Sequence, residues 1–250
     1  MATGKTNSRH FRLYADQVDL SGDVRTVGGF GLEYNMEDVT GWSDGVVNYL
    51  YGTPTAFVNG FQAVFNNTAV TGSHTELSDQ EEYLISLHLG IRATPAAGDP
   101  AFGGPLQQSS YTVGGEGPVI VEVALNGPGQ ALSHPSRYFG YVAYPSTSIT
   151  VTTSGTGVDM VAAQASGIHA VLHVLTAETV GTWALTIQES SDDAVGDPYV
   201  DIITFTANGA TATAERGIDA TSVERYVRFR AVYTGGGSTG ARFVVTVIPQ

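Results

Sequence analysis

Apolar and polar residues alternate in short runs through residues 11–65, and turn residues break the runs. Phe11 and Leu13 fall on one face of an extended chain and Arg12 and Tyr14 on the other, the period of two of a half-buried strand. The polar turn 16–23, with Leu20-Ser21-Gly22 at its centre, ends that run. A second extended run covers 24–32, where Gly28, Gly29 and Gly31 mark a bulge or a close backbone approach. An acidic and aromatic connector spans 33–50. Inside it, Ser43 or Asp44 is placed to cap a short helix over 45–50 with Val46, Val47 and Leu50 packed inward, closed by the turn 52–54. Alternation returns over 56–65, with Phe57, Phe61 and Phe65 as core anchors.

Beyond this stretch, Ser78 and Glu81 have capping-box spacing, which predicts a helical turn starting there. Residues 83–91 are nearly continuous in apolar side chains and predict a buried strand. The Pro- and Gly-rich segment 93–105 reads as an irregular loop, longer than a hairpin needs and suited to binding. Residues 111–113 and 119–125 predict a closing hairpin, and 126–129 mark a boundary between halves. The second half opens with an aromatic, Gly/Pro-punctuated stretch carrying Arg137, Tyr138, Phe139, Tyr141 and Tyr144. Strand-like runs follow at 149–153, 168–175, 182–188, 199–206, 225–233 and 242–248, separated by turn signals. In 225–233, Val227, Phe229, Ala231 and Tyr233 share one face, and Tyr226, Arg228 and Arg230 share the other, solvated face. The pattern leaves the facing of Trp183 open.

The expected fold is therefore all-β. An N-terminal arm (1–10) precedes a β-rich assembly domain (11–126), a β-sandwich or small barrel with a short helix. A connector (127–146) leads to a second β-sandwich, jelly-roll or immunoglobulin-like (147–250). The 31 glycines among 250 residues, with hydrophobic residues at 42%, agree with short strands, tight turns and full cores.

Charge narrows the function. A formal net charge of −13 repels a phosphate backbone, so nucleic-acid binding by charge neutralisation is excluded, while an acidic wall lets DNA pass without sticking. With no cysteine there is no disulfide and no thiolate chemistry. Residues 1–10 lack the apolar run of a signal peptide, and no stretch approaches the ~20 apolar residues that span a bilayer. Those ten residues read either as an arm captured by a neighbour or as a frayed terminus.

Catalytic chemistry finds no footing. The run at 28–31 lacks the Lys-Ser/Thr of a phosphate loop, no Gly-x-Ser-x-Gly elbow occurs, and 24 acidic side chains nominate no carboxylate pair. His88 reads as a hydrogen-bonded core residue. His169 and His173 share a face at spacing four, open to metal binding or to simple burial in a strand. The oxygen-rich loop 190–198 reads as an exposed polar hairpin loop, its spacing failing the twelve-residue calcium pattern. No cofactor and no metal is expected.

The runs VDLSGDVRTV at 18–27, EDVT at 37–40 and GFQAVF at 60–65 resemble tailed-bacteriophage structural proteins, most nearly tail-tube (major tail) proteins. GIRATPAAGDPAF at 90–102, WALTIQES at 183–190 and RYVR at 225–228 are similar to related virion proteins. The resemblance implies a non-enzymatic virion subunit whose partners are copies of itself in stacked hexameric rings and other virion proteins. It implies a lumen that DNA crosses without specific binding, and no membrane. Candidate contact residues are Arg9, His10, Asp19, Ser21, Asp38, Trp42, Asp99, Phe102, Arg228 and Arg230, with the turn 16–23 and the connector 33–50. Capsid decoration protein is the alternative. A carbohydrate-binding sandwich, motivated by Tyr138, Tyr141, Tyr144 and Trp183, is a second.

Overall fold

The computed structural model describes residues 10–41, 45–79, 81–90, 94–115, 118–127 and 138–250. The fold is all-β. The first half contains β1 (Phe11–Ala15), β2 (Val18–Asp19), β3 (Val24–Thr26), β4 (Gly29–Asp38), β5 (Tyr49–Val64), β6 (Glu82–Leu89), β7 (Pro100–Gly114) and β8 (Ile120–Gly127). The second contains β9 (Phe139–Ile149), β10 (Thr153–Ser154), β11 (Val158–Asp159), β12 (Ile168–Thr176), β13 (Thr182–Ser190), β14 (Val200–Thr204), β15 (Thr213–Asp219), β16 (Tyr226–Thr234) and β17 (Ala241–Pro249). Among the described residues no helix is long and apolar enough to cross a membrane.

Period-two patterning explains the layers. In β6, Tyr83, Ile85 and Leu87 enter the first core while Ser86 and His88 face the opposite way, yet all five are buried. In β12, Ile168, Ala170, Leu172 and Val174 enter the second core, and His169, Val171 and His173 face away from it, again buried. Both strands thus read as continuous apolar runs because both faces are covered. The order is β13–β16 over the second core, then β12–β17, then β1–β6, then the first core under β5–β8. Each Leu, Ile or Phe so enclosed contributes roughly 1.5–3 kcal/mol relative to exposure.

One sheet connects the halves. Its order runs β15-β12-β17-β9-β7-β6-β1-β2, with β8, β5, β4 and β3 continuing from β7. The link between halves is short: Pro100, Ala101 and Phe102 of β7 pair with Tyr141, Gly140 and Phe139 of β9. In the first half the sheet curls until Val64 N–H donates to the Asp23 carbonyl at 2.9 Å, bringing β3 back beside the turn that follows β1. The second half closes as a sandwich by facing β12–β17 with the five-stranded sheet β10-β16-β13-β14 and β11.

Several expectations are corrected. The segment 93–105 is not an irregular loop throughout, since Pro100–Gly114 forms β7. Its prolines and glycines suit a close approach: a Cβ on Gly104 (φ +140°) would lie 2.7 Å from the Tyr138 ring. The expected helix over 45–50 is absent. Tyr49 and Leu50 begin β5, and Val46 and Val47 are exposed, because among the described residues no apolar surface covers them. The proposed caps Ser43 and Asp44 lie outside the described residues. The short helix is α1 (Ser73–Leu77), which ends where the capping-box spacing predicted a start. From residue 139 the connector 127–146 is strand β9.

A carboxylate organises the loops at one end of the second sandwich. Glu178, 2% exposed, accepts hydrogen bonds from Thr179 N (2.9 Å), Val180 N (3.0 Å), Thr239 N (3.0 Å), Thr239 Oγ1 (2.6 Å) and Ser238 Oγ. Burial would raise its pKa, but the donors from Ser238, Thr239 and Val180 outweigh it and hold the carboxyl well below the usual range. A depressed carboxyl stabilises the fold above the ordinary glutamate range, and that contribution is lost as pH falls through the folded value. Glu178→Gln is therefore expected to lower the melting temperature at pH 7, with the gap from wild type shrinking at pH 3. Thermal melts at both values check this.

Candidate assembly interface

Before Ala56, among the described residues, β5 pairs with β4 and its pairing with β8 begins at Ala56 opposite Gly127. The outer parts of these strands, 33–38 and 49–55, pair with each other as a two-stranded arm. At roughly 3.3 Å per residue the β4 side reaches about 20 Å beyond Leu32. Val39 N–H donates to the Asn48 carbonyl at 2.9 Å, and Thr40 Oγ1 accepts from Asn48 N at 3.0 Å, closing the described end of the arm.

The arm is apolar on its surface. Tyr34, Met36, Val39, Tyr49 and Leu50 are exposed, Met36 by 52% and Leu50 by 61%, on both faces of the ribbon, and Val46 and Val47 are exposed as well. A two-stranded ribbon alone is marginal in water, and exposed apolar residues on such a ribbon invite a partner. Its charged residues Glu33, Glu37 and Asp38 are acidic. Two donors from Thr40, N–H at 2.9 Å and Oγ1 at 2.5 Å, lower the Asp38 pKa and keep it ionised.

The residues nominated from sequence do not converge. Arg9 and Trp42 lie outside the described residues. His10 starts the strand end next to β1. Asp38 alone sits on the arm. Asp19 caps the 3₁₀ turn Leu20–Gly22 by accepting from Ser21 N at 3.1 Å, and it pairs with Arg242 at 2.5 Å. Ser21 Oγ accepts from Leu13 N at 3.0 Å. Asp19 thus ties the β1–β2 turn to β17, while Ser21 holds it to β1 within the first half. Asp99 is 3% exposed and accepts from Ala96 N at 2.8 Å. Phe102 is fully buried against Tyr138, Phe139 and Phe30. Neither presents a surface to a second copy. Arg228 donates to Gln188 at 2.8 Å and lies 3.9 Å over the Tyr199 ring, on the outer face of β16 with Arg230.

Of the four aromatic residues that motivated sugar binding, Tyr141 is half-buried and the other three are internal. Tyr138, Tyr144 and Trp183 are buried, Trp183 between Tyr233 (4.9 Å) and Phe243 (5.8 Å), so they offer no stacking face. Tyr34, Met36, Tyr49 and Leu50 fall in the connector 33–50 that the sequence put forward as a contact segment, though none was named singly. Their signal was an apolar content within 33–50 too high for a solvated connector.

No protein-family model matches the chain, and no curated protein matches it. Among solved structures it is similar to the Dit protein of phage SPP1, described as a paradigm of the hub adsorption apparatus in phages infecting Gram-positive bacteria. Identity is 13% and the TM-score 0.29, over 95% of this chain and 98% of that one. A chain of the phage P2 baseplate in its activated conformation with Ca gives 9% identity and a TM-score of 0.27, over 94% and 97%. A chain of infectious bursal disease virus, Gx strain, gives 12% and 0.27, over 95% and 54%. Scores this low lie below that of a shared fold.

Proposed function

We propose that the chain is a non-enzymatic structural subunit of a tailed-phage virion that assembles with copies of itself, as a ring of the tail tube. The observation that carries this reading is the arm formed by β4 and β5, on which Met36, Tyr49 and Leu50 stand exposed among the described residues. The short runs at 18–27, 37–40 and 60–65 that resemble tail-tube proteins support it. The net charge of −13 suits a lumen that passes DNA without adhesion.

Light scattering and negative-stain imaging of the purified chain test the reading. Closed six-fold rings or tubes are expected. A protein that stays monomeric at all concentrations overturns it, and trimers that bind only capsid shells move the assignment to decoration. Met36→Asp with Leu50→Asp is expected to weaken assembly at least tenfold while leaving the melting temperature within about 2 °C, since exposed substitutions rarely exceed ±0.5 kcal/mol. Sedimentation velocity and thermal melts measure both.

A further inference from the structure

Between β12–β17 and β1–β6 lies a buried polar layer that neither core needs. His173 Nδ1 donates to the Asp16 carbonyl oxygen at 2.6 Å, which fixes the proton on Nδ1 and leaves Nε2 to accept from Ser86 Oγ at 2.8 Å. His88 Nε2 meets Thr246 Oγ1 at 3.0 Å. The Tyr14 ring packs on both imidazoles, with centroids at 5.1 Å from His88 and 5.9 Å from His173. All three histidines of the layer are buried, and among the described residues His88 Nδ1 and both ring nitrogens of His169 have no hydrogen-bond partner.

We infer that this layer is an acid-sensitive latch: protonation of His88 and His173 separates the two halves while each core stays folded. Every bond these two imidazoles make crosses between halves. A second proton on His173 has to enter at Nε2, where it reverses the Ser86 bond, and a charged His88 carries a proton on Nδ1, where no acceptor stands among the described residues. The two cations would also face each other. The hinge is the three-residue link of β7 to β9, Pro100–Phe102 against Phe139–Tyr141, which the opening leaves paired.

The surrounding charges do not relieve the cations. Asp19 and Arg242 pair with each other beyond Tyr14, and Arg242 Nε also donates to Ser146 at 2.5 Å. Arg12 on β1 adds a further positive charge near Tyr14, and Arg216 on β15 disfavours protonation of His169. The Asp16 carboxylate turns away to accept from Leu84 N at 2.9 Å. Burial holds His88 down to about 3, with His173 adding to the effect. Burial holds His173 down to about 4 against the pull of its bond to Asp16, and His169 down to about 4. Depressed imidazoles favour the closed form fully above about pH 6.5, and that preference is lost as pH falls toward their folded values. Asp16, raised to about 6 by burial, and Glu76, raised to about 7 by burial and then by Asp16, Glu81 and Asp79, carry the opposite sign. The groups acting on both carboxyls belong to the first half, so opening releases the histidines and leaves this cluster largely as it is.

The ratio of open to closed chain is expected to rise about tenfold per pH unit for each imidazole released, hence about a hundredfold for the pair. The experiment titrates the full chain from pH 7.5 to 4, following histidine ring protons by NMR, the radius of gyration by X-ray scattering, and far-UV circular dichroism. Expected are silent His88 and His173 resonances until a cooperative step in which the radius grows and the strand signal persists. His88→Gln with His173→Asn is expected to flatten the pH course of that step. Ring protons that titrate near 6.5 in a closed molecule overturn the inference. So does loss of the strand signal in the same step, or an unchanged pH course in the variant. Should the double variant fail to fold, the titration of the native chain decides.

Discussion

Trp183→Ala is expected to cost about 3–5 kcal/mol, the largest effect of any single truncation in the second half. Trp183 is 1% exposed and is enclosed by Tyr233, Phe243 and the chain at Gly209, where an added Cβ would already lie 2.8 Å from the indole. Those walls belong to β16, to β17 and to the loop before β15, so no single element can shift to fill the space. A domain of this size has roughly 5–15 kcal/mol in total, so the variant should lose a large fraction of it. Its indole N–H has no hydrogen-bond partner among the described residues, so Trp183→Phe should be much milder. Urea unfolding of both variants measures the difference, and a loss under 1 kcal/mol for alanine would show that the site is not packed as described.

Gly140→Val should act by the opposite route. A Cβ at Gly140 would stand 2.0 Å from the Val247 carbonyl oxygen and 2.8 Å from Ile248 Cα, both backbone atoms of β17. Overpacking against movable side chains costs about 1–3 kcal/mol, and here the obstacle is a strand fixed by its own ladder, so about 3 kcal/mol or more is expected. Gly140 also pairs with Ala101 across the link between halves, so the strain should appear there first. Faster amide exchange at residues 100–102 and 139–141, with exchange in β13 and β16 unchanged, is the expected signature.

How far this architecture can be read from sequence differs by element. Strands β6, β12 and β17 were legible because each is enclosed and enclosure leaves an apolar run, and β16 was legible from its alternation. The shared face of His169 and His173 was legible from their spacing. What that face meets was not, since it depends on the return of β6 from more than eighty positions away. The start of β7 was hidden because Pro100, Gly103, Gly104 and Pro105 read locally as loop, and only Tyr138 packing on Gly104 explains them. The arm carries its apolar residues openly in the sequence, but burial and exposure look alike there. Phe102, nominated singly, and Met36, nominated only as part of the connector 33–50, are equally apolar in sequence and opposite in burial. The sequence places strands well and partners poorly, because partners are set by long-range pairing.

The buried polar layer has a consequence for the order in which the chain matures. Its first-half members, Tyr14, Asp16, Ser86 and His88, emerge early in synthesis, whereas Thr246 and Arg242 arrive at the far end of the sequence. Contacts this distant are slow to form, and domains tend to fold from the N-terminus as they appear. The arm-bearing half can complete its ladder from β1 to β8 while the face of Tyr14 and His88 is still bare. During translation that face is open to water or to a chaperone, and β17 seals it last.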